Sequence, residues 1–320
     1  MRILSGIQPS GKLHVGNYFG AIKQYLKLQE ENEAFYFIAD YHALTSVKDA
    51  DKLRKYVEDV ALDYLALGLD PEKAALFRQS DIPEVQELAW ILSTITPMGL
   101  LERCHSYKDK ISQGITPSHG LFAYPVLMAA DILIYKSEMV PVGKDQKQHV
   151  EVTRDIAQKF NNTYGEIFVI PNEHIVDSTA VVPGLDGKKM SKTYNNIIEI
   201  FAEKEDIQKA VMSIVTDSKP VKEPKDPEKC ILFTLYKLFA VEKDIKYVES
   251  LYRDGGLSYK DMKGWLIEAA SHYFFPFKLK RKELAEDKQY IKEVLEAGAE
   301  KARKAASQTI KEVRLAVGID

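Results

Sequence analysis

The chain of 320 residues predicts an α/β fold, a doubly wound parallel sheet followed by a mainly helical region. Three observations predict it. Short apolar runs alternate with helical periodicity through residues 1–200, which is the pattern of strands joined by crossover helices. From about residue 207 onward no strand-like run recurs, while helical sequence continues. Hydrophobic residues at 45% and charged residues at 28% are an ordinary globular balance, which excludes a disordered or low-complexity chain.

Ile3-Leu4 reads as a brief first strand ending in Ser5-Gly6. After a Gly/Pro/Ser loop, Phe19, Ile22 and Leu26 recur at helical spacing. Ala34 to Ala39 is continuously apolar and too short for a typical helix, as expected of a buried parallel strand. Lys52 to Leu67 is helical and closed by Gly68. Ala74 to Phe77 and Met139 to Val142 are further strands. The apolar stretch Leu121 to Tyr135 is too short for a bilayer and carries Pro125 and Asp131, so no membrane span is expected. Met1 to Gly6 reaches glycine too soon for a signal peptide. Beyond a loop from Lys219 to Pro227 lie helical segments at Cys230 to Ala240 and from Lys278 onward.

Lys and Arg total 44 against 47 Asp and Glu, a net charge of −3, so bulk charge identifies no polyanionic partner. A local basic face stays open. Two cysteines, Cys104 and Cys230, build neither a disulfide framework nor a zinc site, and a reducing, cytoplasmic compartment fits them best.

In a doubly wound sheet, ligands sit beyond the carboxyl ends of the strands. The loop after the first strand, Gly6 to Asn17, is glycine-rich, holds His14 and leads into a helix. Glycines admit close backbone approach, and a helix start offers free N–H groups to phosphate. A tight turn with incidental polar residues is the competing reading. A second element, Lys189-Met190-Ser191-Lys192-Thr193, follows a turn at Pro183 to Lys188. Lysines on a loop suit a polyphosphate whose charge grows during transfer; a solvated basic turn is the alternative. Tyr124, Met128, Asp131 and Tyr135 share one helical stripe. A carboxylate there is either a structural cap or the acceptor for a donor-only ligand group.

Together, His14-Val15-Gly16-Asn17 and Lys189 to Thr193 resemble the two signatures of the class I aminoacyl-tRNA synthetases. Gln8-Pro9-Ser10-Gly11, Asp40 to Thr45, Tyr124 to Leu133 and Val140 to His149 resemble, in order, blocks of the bacterial tryptophanyl-tRNA synthetase family. The resemblance covers about the first two thirds of the chain and is weaker in the helical tail. It implies a Rossmann-type catalytic domain over 1–205 and a helical, anticodon-binding region over 206–320, whose last helix could pack back on the first. It implies ATP-dependent activation of L-tryptophan with Mg²⁺ carried by the nucleotide, no dedicated protein metal site, transfer to cognate tRNA, and a homodimer.

By the same resemblance, His14, Lys189, Lys192, Lys108 and Lys110 would act on the phosphates. ATP would be held by Gln8, Pro9, Ser10, Gly16, Asn17, Gly143, Lys144, Asp145 and the loop Lys189, Met190, Ser191, Lys192 and Thr193, with Val181 or Val182 near the adenine. Tryptophan would meet Gly6, Gln8, His42, Tyr124, Met128, Asp131, Val140, Val142 and Gln146, with Asp131 accepting the indole N–H. Leu4 stands where the family often has an aromatic beside the indole. The rivals are a tyrosyl-tRNA synthetase, a small-molecule adenylyltransferase, which leaves the lysine loop and the helical region unexplained, and a non-catalytic paralogue, against which the retained His14, Gly16, Lys189 and Lys192 speak.

Overall fold

The computed structural model describes residues 1–104, 118–143, 146–175 and 182–319. Five strands form one parallel sheet in the order β3-β2-β1-β4-β5: β1 Arg2–Ile7, β2 Glu33–Ile38, β3 Ala74–Arg78, β4 Met139–Val142 and β5 Asn172–Ile175. Ala34 to Ile38 are all buried, which is why β2 reads as a continuous apolar run rather than an alternating one. The chain leaves β1 first toward β2 and β3, then returns to its other side as β4. That reversal opens a crevice between the carboxyl ends of β1 and β4.

β1 is longer than the two-residue strand expected from sequence, because its polar Ser5 is buried within the ladder to β2. β5 was not expected at all. Its sequence Asn-Glu-His-Ile carries polar groups at an edge position, paired to β4 alone, so it lacks the apolar run of a central strand. The helix after the first loop also differs. Residues Tyr18–Ile22 form a π-helical turn, which widens the spiral, and within it Tyr18 is buried and Phe19 half-buried.

Contacts divide the chain into two compact units. The first comprises 1–11, 25–177 and 284–320. Its core includes Phe35 stacked on Tyr135 with centroids 5.2 Å apart, and Phe37 stacked on Phe77 at 6.2 Å. The helix Lys288–Val317 lies against β3, where a side chain at Gly298 would run into the backbone of Leu76. Arg314 forks onto the Glu87 carboxylate at 2.6 and 2.5 Å and holds the same helix to Glu84–Ile95.

The second unit comprises 12–24 and 178–283. Residues 13–15 lie beside 198–200, with Val15 N donating to Ile198 O at 2.9 Å and Ile200 N to Leu13 O at 3.1 Å. The helices of this unit include Lys204–Met212, Ile231–Tyr236 and Glu242–Asp254, and Tyr18, Phe19, Phe239, Tyr273, Phe274 and Phe277 form one aromatic cluster. The compact units thus do not follow chain order.

Candidate active site

In the first unit a cavity of ≈ 450 Å³ opens at the β1–β4 crevice, lined by Leu4 to Gln8, by Val140 to Gly143, and by Phe37, His42, Tyr124, Met128, Asp131 and Gln146, among others. The helix His119–Ile134 supplies Tyr124, Met128 and Asp131 from one stripe. Its first turn is capped by Ser118, whose hydroxyl accepts from Leu121 N at 3.2 Å. Tyr135, on the same predicted stripe, instead turns into the core against Phe35.

Asp131 is 2% exposed. Oδ2 accepts from His42 Nε2 at 2.8 Å and from Gln79 Nε2 at 2.9 Å, and Oδ1 accepts from Gln79 Nε2 at 2.8 Å. Burial raises the Asp131 pKa above the ordinary carboxylate range, while the hydrogen bonds from His42 and Gln79 pull it back. A carboxylate offers about four lone-pair sites, so these three contacts leave Asp131 able to accept one more donor.

Gln79 is itself only 1% exposed, and its Oε1 accepts from Tyr41 N at 3.1 Å and His42 N at 3.4 Å. It therefore orients both Asp131 and the segment carrying His42. Sequence reading passed over Gln79 because it adjoins the apolar run of β3 without belonging to it. Its place immediately after a strand's carboxyl end is the signal that could have found it.

Tyr124, His149 and Gln146 form a second chain. Gln146 Oε1 faces His149 Nδ1 at 2.9 Å, and His149 Nε2 faces the Tyr124 hydroxyl at 2.6 Å. An amide oxygen only accepts, so Nδ1 carries the ring hydrogen and Nε2 accepts that of Tyr124. Tyr124 and Gln146 are thereby set with oxygen lone pairs as their offering, the complement of an ammonium group.

Leu4 lies in the cavity wall, and Phe37 on the neighbouring strand, with Tyr25 and Tyr124, brings aromatic surface to the same cavity. A Cβ at Gly6 would collide with the Phe37 ring, so this glycine is needed for close approach. Gln8 also lines the cavity, its amide donating to His42 O at 3.3 Å and Ser46 Oγ at 3.2 Å. Pro9 and Ser10 follow directly, Pro9 buried and Ser10 exposed.

In the second unit the turn at His14 and the lysine loop are brought together. His14 is buried, and its Nδ1 has no hydrogen-bond partner among the described residues. Burial, and then the Lys192 ammonium, push its pKa down to about 4, so the ring is neutral near pH 7. Asn17 Oδ1 accepts from His14 N at 3.0 Å, and Met190 Sδ accepts from Gly16 N at 3.3 Å. A Cβ at Gly16 would press on the His14 ring and on Met190. Val182 pairs with the loop through its carbonyl, which accepts from Met190 N at 3.0 Å. Ser191 and Lys192 follow Met190 directly.

Lys108, Lys110, Lys144, Asp145 and Val181 lie outside the described residues, as does the side chain of Thr193. Among the described residues no cluster of three or more His, Cys, Asp or Glu side chains could hold a metal ion, and no helix is long and apolar enough to cross a membrane.

Residues 1–274 match the family model for class I tRNA synthetases of the tryptophan and tyrosine type. A tryptophan–tRNA ligase of Rhodopirellula baltica is 54% identical over 319 residues, covering 100% of both chains. The chain belongs to the class I tryptophanyl-tRNA synthetases. A second ligase of that name, from Fusobacterium nucleatum, is 53% identical to this class I synthetase chain over 99% of its length and 98% of the relative's. The crystal structure of the tryptophanyl-tRNA synthetase from Campylobacter jejuni, complexed with ADP and tryptophan, superimposes with a TM-score of 0.94 at 51% identity, covering 99% of this chain and 100% of that one. The parallel sheet and helical region expected from the sequence are those of this family. Gln79, Phe37 and His149 are what the structure adds to the site of this synthetase.

Proposed function

We infer that the chain is a tryptophan–tRNA ligase. It joins L-tryptophan to ATP, forming tryptophanyl-adenylate and releasing pyrophosphate, then transfers the tryptophanyl group to a ribose hydroxyl at the 3′ end of cognate tRNA, releasing AMP. Asp131 carries this reading: a buried carboxylate, oriented by two donors and able to take a third, in a cavity walled by Phe37, Met128, Val140 and Val142. Indole is a flat apolar ring with a single donor and no acceptor, which is the complement of that cavity.

Tyr124 and Gln146, held as acceptors by His149, receive the ammonium of the amino acid. Gly6 and Gln8 border the same cavity. A tryptophan carboxylate oxygen attacks the α-phosphorus, and the bond from that phosphorus to the bridging oxygen breaks as pyrophosphate leaves. His14 serves there as a neutral N–H donor rather than a cation, because burial keeps it unprotonated. The cradle at Gly16, too tight for a side chain, and the orphaned His14 nitrogen support a phosphate nearby.

Lys189 and Lys192 meet charge that is largest in the transition state, and Met190, Ser191 and Thr193 continue that loop. Gln8, Pro9, Ser10, Asn17, Gly143 and Val182 complete the proposed ATP contacts, and Mg²⁺ enters on the phosphates. Lys108, Lys110, Lys144, Asp145 and Val181 are assigned by family resemblance alone. The catalytic division at 1–205 and anticodon-binding division at 206–320 are part of the same reading. So is a cytoplasmic setting, which the free thiols of Cys104 and Cys230 fit. A homodimer is supported by the exposed Trp90 and Leu44, which line one apolar groove.

Amino-acid-dependent ATP–pyrophosphate exchange with all twenty amino acids tests this function. Tryptophan should exceed phenylalanine by roughly 10⁴-fold, because phenylalanine brings no donor to the acceptor position left on Asp131. It should also exceed tyrosine, whose hydroxyl brings an acceptor as well as a donor to a site that offers only acceptance. Equal exchange with tyrosine would overturn the tryptophan assignment. Exchange with no amino acid would return the chain to a non-catalytic role.

A further inference from the structure

The lysine loop is a short hairpin whose two arms are stitched at Pro183 and Lys189, with Gly184 N donating to Lys188 O at 2.6 Å. Such a loop is charged and short, and nothing in its own sequence dictates where the side chains of Lys189 and Lys192 project. One side chain beyond it reaches back into it. Asn196 is 3% exposed, although it follows a polar turn in which Asn195 takes the left-handed conformation at φ 50°.

Its amide is spread over both arms. Oδ1 accepts from Ser191 N at 2.8 Å, while Nδ2 donates to Asp186 Oδ1 at 2.6 Å and to Lys189 O at 3.2 Å. Its backbone oxygen accepts from Leu185 N at 3.0 Å. Gly184 has no side chain at the point where a Cβ would strike the Asn196 amide. The hydrogen bond from Asn196 is also the largest cause holding the Asp186 carboxyl below its ordinary pKa. Both peptides flanking Met190 are therefore fixed by a single carboxamide, and Met190 in turn is docked on Gly16 N.

We propose that Asn196 is the positioning residue of the lysine loop, setting the direction in which Lys189 and Lys192 leave the backbone toward the ATP phosphates. This rests on the phosphate role given to those lysines above. Asparagine suits the task because Ser191 N needs an acceptor while the Lys189 carbonyl and the Asp186 carboxylate need a donor, and only a carboxamide of this length presents both from one carbon. Aspartate would keep the bond from Ser191 N but face the Asp186 carboxylate and the Lys189 carbonyl without a hydrogen to give. Holding reactive groups in place before reaction is worth orders of magnitude in rate, whereas misplacement by about 1 Å costs roughly 10²-fold.

The test compares N196A, N196D and the exchanged pair D186N/N196D with wild type and with K192A. Three readouts are single-turnover adenylate formation, tryptophan affinity by calorimetry, and melting temperature. N196A and N196D should slow adenylate formation by tenfold or more while tryptophan affinity stays within twofold and the protein stays folded at the assay temperature. In D186N/N196D the amide and the carboxylate change places, so the bond between positions 186 and 196 forms in the reverse direction while the Lys189 carbonyl stays without its donor, and the rate should recover part of what N196D lost. A wild-type rate in N196A and N196D beside a slow K192A would overturn the positioning role. So would a rate loss that tracks tryptophan affinity or unfolding, or an exchanged pair no faster than N196D. If K192A itself reacts at the wild-type rate, the phosphate role of the loop fails first.

Discussion

Asp131 receives His42 and Gln79, and under the proposed function its remaining lone pair takes the indole N–H, so its removal should act on one substrate only. Asp131→Ala is expected to weaken tryptophan binding about ten- to a hundredfold, since a hydrogen bond to a charged group contributes roughly 1.5–3 kcal/mol net, and to leave ATP binding nearly intact. Calorimetric titration with each ligand, beside a melting curve, checks this; unchanged tryptophan affinity in a destabilised variant would make the carboxylate structural. His14 gives a prediction in pH. The unfolded chain protonates this ring near 6.5 and the folded chain only near about 4, so the unfolded state binds more protons in that window. The contribution is lost as pH falls from 6.5 toward 4. The melting temperature of wild type should therefore fall more steeply over that range than that of His14→Asn, and parallel curves would contradict the buried neutral ring.

At the level of elements, a glycine sets how near a helix comes to the sheet. Gly298→Val in Lys288–Val317 would drive a branched side chain into the Leu76 backbone, an overpacking that costs about 1–3 kcal/mol. A lower denaturant midpoint with an unchanged slope is the expected reading. The strands β2, β3 and β4 were legible in sequence because an apolar run buried on both faces has no other use in so short a segment. β5 was not, since an edge strand needs one partner and tolerates Asn172, Glu173 and His174. The stripe of Tyr124, Met128 and Asp131 followed from helical spacing. What spacing could not supply was the partner side of each contact. Gln79 reaches Asp131, and His149 reaches Tyr124, only after the chain has folded. The close run Lys278, Lys280, Arg281 and Lys282 reads from sequence either as a basic face for RNA or as a solvated helix start, and spacing could not supply its partners. Lys278 is paired with Glu203 at 2.7 Å, Lys280 with Glu283 at 3.1 Å, and Arg281 sits over the Phe201 ring at 5.1 Å.

For the whole molecule, the proposed dimer is tested at one surface residue. Trp90 is 74% exposed on the Glu84–Ile95 helix and shares a groove with Leu44, an arrangement a second copy would bury. Trp90→Glu should convert the proposed dimer to monomer in sedimentation velocity at micromolar concentration while the monomer stays folded; a monomeric wild type would remove the basis for a dimer. The seat of Gly298 against Leu76 has a further consequence, one of timing. β3 is an edge strand, and unpaired strand edges recruit other strands. The helix that lies against it is synthesised long after it, by roughly 10–45 s at about 5–20 residues per second. Through that interval β3 can leave the ribosome before its cover exists, so the nascent chain, more than the finished enzyme, is where this fold is open to misassembly.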